Sequence, residues 1–242
     1  MKNILITGAS GDIGTAIAKE LAKEDTLLFL QGFRSEEKLK ALAEFISREK
    51  KCEVKPIICD VSDYVQIEQM FKRIFSECRS LDVLVNNAGI SHIGLLQDMK
   101  YEEWHNLINT NLSSMFYCCK NVIPGMIEKK EGKIVNVSSM WGNVGASCEV
   151  AYSATKGGVN SFSKALAKEL APCNIQVNVI APGVIDTGMN DFMTDKEKEL
   201  LISEIPADRM GTPAECGRLV KMIIDAPEYL TGQIITMDGG LL

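Results

Sequence analysis

The sequence predicts one α/β domain built on a doubly wound parallel sheet, and three observations carry that prediction. Short apolar runs alternate with helix-period stretches along all 242 residues, as strands joined by crossover helices would. A glycine-rich turn, Gly8 to Gly14, follows the first run at once. Small or polar residues then close the later runs, at Asp60, Asn86, Ser139 and Pro182. In such sheets, binding residues gather beyond the carboxyl ends of the strands.

Taken in order, residues 3–7 read as a short buried strand. The helix after the glycines repeats Ile13, Ile17, Ala18 and Leu21 on one face. Strand, glycine turn and helix N-terminus form a pyrophosphate cradle of the Rossmann type. Glycines let the backbone approach, while free N–H groups and the helix dipole hold negative charge. The spacing is not the common G-x-G-x-x-G, so a plain strand–helix turn stands beside this reading. The second strand, 26–31, ends in Gln31-Gly-Phe-Arg-Ser35 without the acid that binds the ribose 2′-hydroxyl in NAD sites. Arg34 can meet a 2′-phosphate instead, which favours NADP; a solvated loop arginine is the alternative.

A helix over 36–50, a strand over 54–59 closed by Asp60-Val61, a helix over 65–78 and a strand over 81–85 follow. They lead to Asn86-Asn-Ala-Gly89. A long helical region covers 101–129 and contains Asn111. The fifth strand is 133–137, and the sixth, 176–180, ends at Ala181-Pro-Gly183. No linker, repeat or low-complexity segment interrupts the chain, so residues 1–242 are expected to form a single domain.

The chemistry concentrates between Ser138 and Lys156. Tyr152-Ser-Ala-Thr-Lys156 should open a helix, and residues four apart share a helix face. An ammonium beside a phenol favours the phenolate, so Lys156 is expected to lower the Tyr152 pKa from its usual value of about 10. Such a tyrosine can exchange a proton with a substrate oxygen near neutral pH. Ser139, at the carboxyl end of the fifth strand, can donate a hydrogen bond to that oxygen. Alone, the pair has the spacing of a half-buried tyrosine packed on a solvated lysine. The residues at the other strand ends supply the context that favours chemistry.

Composition narrows the classes. With 46% hydrophobic and 24% charged residues, the chain can bury a sizeable core. The net charge of -6 is spread without long runs, which argues against nucleic acid as a partner. No apolar run approaches the ~20 residues of a membrane span. The start, MKNILITGAS, enters a strand pattern without the apolar stretch of a signal peptide, which predicts a cytoplasmic protein. The eight cysteines include no C-x-x-C pair and are joined by only two histidines. Reduced structural thiols are therefore expected rather than a metal site. Cys148 stands apart, because it lies between Ser139 and Tyr152.

Together, Thr7-Gly-Ala-Ser-Gly-Asp-Ile-Gly14, Asp60-Val61, Asn86-Asn-Ala-Gly89, Asn111, Ser139, Tyr152-x-x-x-Lys156, Pro182-Gly183 and Asp238-Gly-Gly240 resemble the short-chain dehydrogenase/reductase family. The resemblance covers essentially the whole chain and is nearest to the bacterial 3-oxoacyl-[acyl-carrier-protein] reductases. It implies roles. Gly8, Ser10, Ile13 and Gly14 would line the cofactor phosphates and ribose. Asp60 and Val61 would contact adenine, while Asn86 and Ala88 would flank the ribose and hold the central sheet. Pro182, Gly183, Ile185 and Thr187 would hold the carboxamide. Tyr152 would be the acid in carbonyl reduction and Ser139 would orient the carbonyl. Lys156 would bind the nicotinamide ribose and tune Tyr152, and Asn111 would hold a proton-relay water. The implied activity is NADPH-dependent reduction of a ketone to a secondary alcohol in fatty acid synthesis. A homotetramer is implied through the helices near 101–129 and 152–170, with the C-terminal segment at another interface. Residues 189–206 would form a mobile substrate lid.

Two departures stand out. Asp12 occupies a position where the family usually has glycine, which sets a carboxylate near the pyrophosphate or, turned outward, at the helix N-terminus. The carrier-protein reductases also grip the acidic acyl carrier protein with arginines beside the cleft. This chain has Lys130 and Cys173 there, with Lys129 and Lys133 nearby. The segment from Ser139 to Val150 is similar to that of a related reductase acting on modified elongation factor P, a ketone on a lysine-linked chain. Trp141 and Glu149 beside the cleft would suit such a substrate; otherwise Trp141 packs under the substrate loop and Glu149 is solvated. A non-catalytic dinucleotide sensor is the reading from another class. Such a protein would usually lose the tyrosine or the lysine, and both are present.

Overall fold

The computed structural model describes residues 1–191 and 193–242. Seven parallel strands make one sheet: β1 (Lys2–Ile6), β2 (Thr26–Gly32), β3 (Glu53–Ile58), β4 (Val83–Asn86), β5 (Gly132–Val137), β6 (Ile175–Pro182) and β7 (Ile234–Met237). Their order is β3-β2-β1-β4-β5-β6-β7. The winding therefore reverses between β1 and β4, the point at which such sheets open a crevice.

Strand residues alternate between two cores because successive side chains point to opposite faces. Ile4, Ile6, Leu28, Leu30, Val83, Val85 and Val135 meet α1 (Asp12–Leu21), α2 (Glu36–Lys50) and α9 (Pro213–Asp225). Leu5, Phe29, Leu84, Ile134, Val177 and Val179 meet α3 (Tyr64–Glu77), α5 (Ser114–Lys129) and α7 (Val150–Leu170). Both faces are covered, which is why the strands read as continuous apolar runs.

Local signals fix the helix starts. The Val65 N–H donates to Asp63 Oδ1 at 2.8 Å, capping α3. Thr212 and Glu215 form a capping box ahead of α9, with Pro213 in its first turn. Most expected boundaries hold within a residue or two. The strand expected at 81–85 begins instead at Val83, although the Asp82 N–H still donates to the Asn3 carbonyl at 2.8 Å and its carboxylate accepts from the Asn3 N–H and pairs with Lys129. The region 101–129 is not one helix: α4 (Tyr101–Ile108) passes through a π-helical turn, Asn109–Ser113, into α5. Neither β7 nor α9 was among the expected elements. Past Pro182 the chain forms a short 3-10 turn, Gly188–Asn190, and then the Thr194-capped helix α8 (Asp195–Glu204). Of the expected lid, position 192 lies outside the described residues. A short helix, α6 (Trp141–Val144), follows β5 and precedes α7.

Candidate active site

A cavity of about 830 Å³ opens at the carboxyl ends of the strands. Gly8, Ser10, Ile13, Gly14, Arg34, Asp60, Val61, Ala88, Ser139, Tyr152, Lys156, Pro182, Gly183, Ile185 and Thr187 line it. The fold thus brings nearly all of the expected residues to one place, and Asn86 and Asn111 are the exceptions.

At one end the glycines make a cradle. A Cβ on Gly14 would sit 2.2 Å from the Gly8 carbonyl oxygen, and one on Gly8 would meet Ala88 Cα at 2.8 Å. Gly8 also has φ +65°, where glycine is favoured. Three polar side chains hold this loop. Thr7 Oγ1 accepts from the Asn87 and Ala88 N–H groups at 3.0 and 3.1 Å. Asn87 Nδ2 donates back to the Thr7 and Gly8 carbonyls at 3.0 and 3.1 Å. Buried Gln31 accepts from the Gly8 N–H at 2.8 Å and donates to the Cys59 carbonyl at 2.6 Å. No role for Gln31 or Asn87 follows from the sequence reading. Their only signal is a polar side chain at the end of an apolar strand, where an unpaired group would be costly. The narrow glycine approach, the free helix end beyond it and the long cavity fit a nicotinamide dinucleotide.

Arg34 stands at the rim beside β2, its guanidinium 5.8 Å from the centre of the Phe33 ring. Among the described residues, no carboxylate pairs with it. Asp60 is held by its neighbour, its Oδ1 accepting from the Ser62 N–H and hydroxyl at 2.9 and 2.7 Å.

At the other end, Lys156 is only 4% exposed, and its Nζ donates to the Val137 carbonyl at 2.9 Å. The same Nζ lies 5.6 Å from the centre of the Tyr152 ring. Burial pushes the Tyr152 phenol up to about 12, the Ser139 hydroxyl pulling it back and the Glu149 carboxylate adding to the rise. Burial also brings Lys156 down to about 8. The expected lowering of the phenol by the lysine is therefore corrected for the chain by itself. One N–H of Lys156 goes to Val137, and desolvation is the largest influence on the phenol. Ser139 Oγ also accepts from the Trp141 N–H at 3.2 Å.

Other expected residues lie outside the cavity lining. Asn86 does not line the cavity: it is buried, and its Nδ2 donates to Asn136 Oδ1 at 2.9 Å, so its side chain ties β4 to β5. Asn111 does not line the cavity, and its side chain bonds to the chain around it. Its Oδ1 accepts from the Ile90 N–H at 2.8 Å, and its Nδ2 donates to the Ile90 carbonyl at 2.9 Å and to Thr155 Oγ1 at 3.2 Å. That amide ties the loop after β4 to α7. Lys130 and Cys173 lie just before β5 and β6, at the amino ends of the strands and opposite the cavity. They are not beside this chain's cleft. Lys129 pairs with Asp82, and Lys133 donates to the Ile224 and Ala226 carbonyls at 2.8 and 2.7 Å, so both are already occupied.

Trp141 and Glu149 line the cavity. Glu149 is half-buried, and desolvation raises its pKa, with the Trp141 side chain opposing. It is not simply solvated. Asp12 takes neither expected course alone, because its Oδ2 accepts from the Gly188 N–H at 2.9 Å across the cavity mouth. All eight cysteines are free thiols. Among the described residues, no His, Cys, Asp and Glu group could hold a metal, and no helix is long and apolar enough to cross a membrane.

Residues 2–198 match the short chain dehydrogenase family. The chain is 39% identical over 241 residues to "3-oxoacyl-[acyl-carrier-protein] reductase FabG" of Staphylococcus aureus, covering 99% of this chain and 98% of that one. It is 38% identical over 240 residues to "Uncharacterized oxidoreductase YmfI" of Bacillus subtilis, with coverage of 99% and 98%. A crystal structure of 3-oxoacyl-[acyl-carrier protein] reductase from Brucella melitensis superposes with a TM-score of 0.91 at 32% identity, over 99% of this chain and 91% of that chain. With a doubly wound sheet, a dinucleotide cradle and the Ser139, Tyr152 and Lys156 corner in one cavity, the chain belongs to the short-chain dehydrogenase/reductase family of oxidoreductases.

Proposed function

We propose that the protein reduces a ketone to a secondary alcohol with NADPH, and that its substrate is a 3-oxoacyl chain carried on acyl carrier protein in fatty acid synthesis. The observation that carries this reading is that Ser139, Tyr152 and Lys156 share one cavity with Gly8, Gly14 and Arg34. The substrate assignment is supported by the relatives named as 3-oxoacyl-[acyl-carrier-protein] reductases at 37–39% identity.

The nicotinamide, when bound, supplies hydride to the carbonyl carbon. Tyr152 gives its proton to the carbonyl oxygen, and burial keeps the phenol protonated and ready to do so. The Ser139 hydroxyl orients the same oxygen. Lys156 stays cationic at neutral pH, since its pKa of about 8 lies above it, and holds the nicotinamide ribose. Asn111 fixes Ile90 against Thr155, one residue from Lys156, and holds the proton-relay water. The cradle residues Gly8, Ser10, Ile13 and Gly14 hold the phosphates, and Asp60 and Val61 hold the adenine. Ala88 flanks the ribose, and Pro182, Gly183, Ile185 and Thr187 hold the carboxamide. Arg34 takes the 2′-phosphate. Residues 189–206 act as the substrate lid, and the working form is a cytoplasmic homotetramer.

A second reading, reduction of the ketone on modified elongation factor P, is favoured by one observation. Glu149 puts a partly desolvated carboxylate into the cavity. Such a group suits a donor-bearing chain better than a plain acyl tail. Turnover with 3-oxoacyl thioesters against modified elongation factor P decides between the two. NADPH oxidation by the thioester is the expected result. Turnover of the elongation factor alone moves the assignment to the second reading.

A further inference from the structure

Asp12 is the first residue of α1 and part of the glycine cradle. Its Oδ2 accepts from the backbone N–H of Gly188 at 2.9 Å, although 176 residues separate them. Gly188 opens the 3-10 turn Gly188–Asn190, and the first N–H groups of a helical turn have no partner within it. Asp12 supplies that partner from the opposite wall. The rest of the turn is tied to its own side. Asn190 Nδ2 donates to the Ile185 carbonyl at 2.7 Å, and the Asp186 N–H donates to the Gly211 carbonyl at 2.9 Å. Among the described residues, the Asp12–Gly188 bond is the one hydrogen bond joining residues 183–204 to the glycine turn 8–14. Asp12, Ile13, Thr187 and Gly188 all line the cavity, so the bond spans its mouth.

We infer that the Asp12–Gly188 hydrogen bond is a strap across the dinucleotide cavity, and that Asp12 is a positioning residue that slows dinucleotide exchange. This rests on the proposed NADPH site. The competing account is that a carboxylate near the phosphates only repels them. The accounts separate because Asn keeps an acceptor oxygen without the charge, whereas Ala keeps neither.

The test is stopped-flow release of NADPH from wild type, Asp12→Asn and Asp12→Ala, followed by nicotinamide fluorescence. Hydrogen exchange of the Gly188 amide is measured alongside in protein without dinucleotide. The strap predicts release about three- to tenfold faster in Asp12→Ala and near wild type in Asp12→Asn, as one ordinary hydrogen bond would give at about tenfold per 1.4 kcal/mol. Gly188 exchange should quicken in the Ala variant only. Slower release in both variants supports repulsion and overturns the strap, as does unchanged release in both. Unchanged Gly188 exchange in Asp12→Ala overturns it independently. Failure of all three proteins to bind NADPH sinks the functional reading itself, and the strap with it.

Discussion

Burial moves Tyr152 and Lys156 in opposite directions, up to about 12 and down to about 8. The consequence is a neutral phenol beside a cation at neutral pH, the protonation state that carbonyl reduction needs. Tyr152→Phe should therefore keep NADPH affinity and lose about 10²–10⁴-fold in turnover, as expected for a positioned proton donor. A variant keeping most of its ketone reduction rate would remove Tyr152 from that role. The pH dependence follows from the lysine. Its ammonium is present below about 8 and lost above it, while the phenol stays protonated. Reduction should hold at lower pH and fall as pH rises through about 8. Lys156→Met should be slow throughout, without that step. A wild-type profile flat from pH 7 to 10 would show that Lys156 does not act through its charge. The linkage to stability has the opposite sign. A lysine lowered from 10.5 to about 8 costs stability wherever it stays charged, and the cost is relieved as pH rises across that interval. The four-residue spacing made the pair legible in the sequence. That the Val137 carbonyl would take the ammonium was not, because it depends on where β5 ends against α7.

Among the elements, the glycine turn shows how little room the cradle leaves. Gly14→Ala would set a methyl 2.2 Å from the Gly8 carbonyl oxygen, with Ala9 Cα and Asn87 also in the way. Backbone must shift. A cost of about 1–3 kcal/mol is expected from overpacking of this kind. The check is a urea unfolding midpoint together with NADPH affinity, both of which should fall. A variant with wild-type midpoint and affinity would show that the turn tolerates a side chain. This turn was legible because glycine has few other reasons to repeat between a strand and a helix. The Thr212-Pro-Ala-Glu215 capping box could equally have revealed α9. β7 could not be seen, because Ile-Ile-Thr-Met at a half-buried sheet edge has neither the length nor the alternation of a strand signal. The π turn at Asn109–Ser113 was hidden for a related reason: a helical period persists through one extra residue.

Across the whole molecule, the carboxyl ends of the strands form one working edge, and the residues assigned to a cofactor and a carbonyl lie along it. The strand–helix alternation made that edge legible. Which end of the sheet Lys130 and Cys173 occupy depends on chain direction through the assembled fold, and they lie at the far end from this cavity. At the adenosine end, Arg34 has no carboxylate partner among the described residues, so NADPH should bind more tightly than NADH. A charge-assisted contact gives roughly ten- to a hundredfold, and Arg34→Ala should largely erase it. Titration by quenching of Trp fluorescence measures both constants, and equal values or a preference for NADH would overturn the role given to Arg34.

The central claim is catalysis and not mere dinucleotide binding, and a single turnover tests it most directly. Enzyme loaded with NADPH is mixed with a 3-oxoacyl thioester, and nicotinamide absorbance and alcohol product are followed together. The account predicts loss of NADPH matched by an equal amount of secondary alcohol, abolished in Tyr152→Phe. Tight NADPH binding with no oxidation by this or any generic ketone would contradict it and leave a dinucleotide sensor in its place.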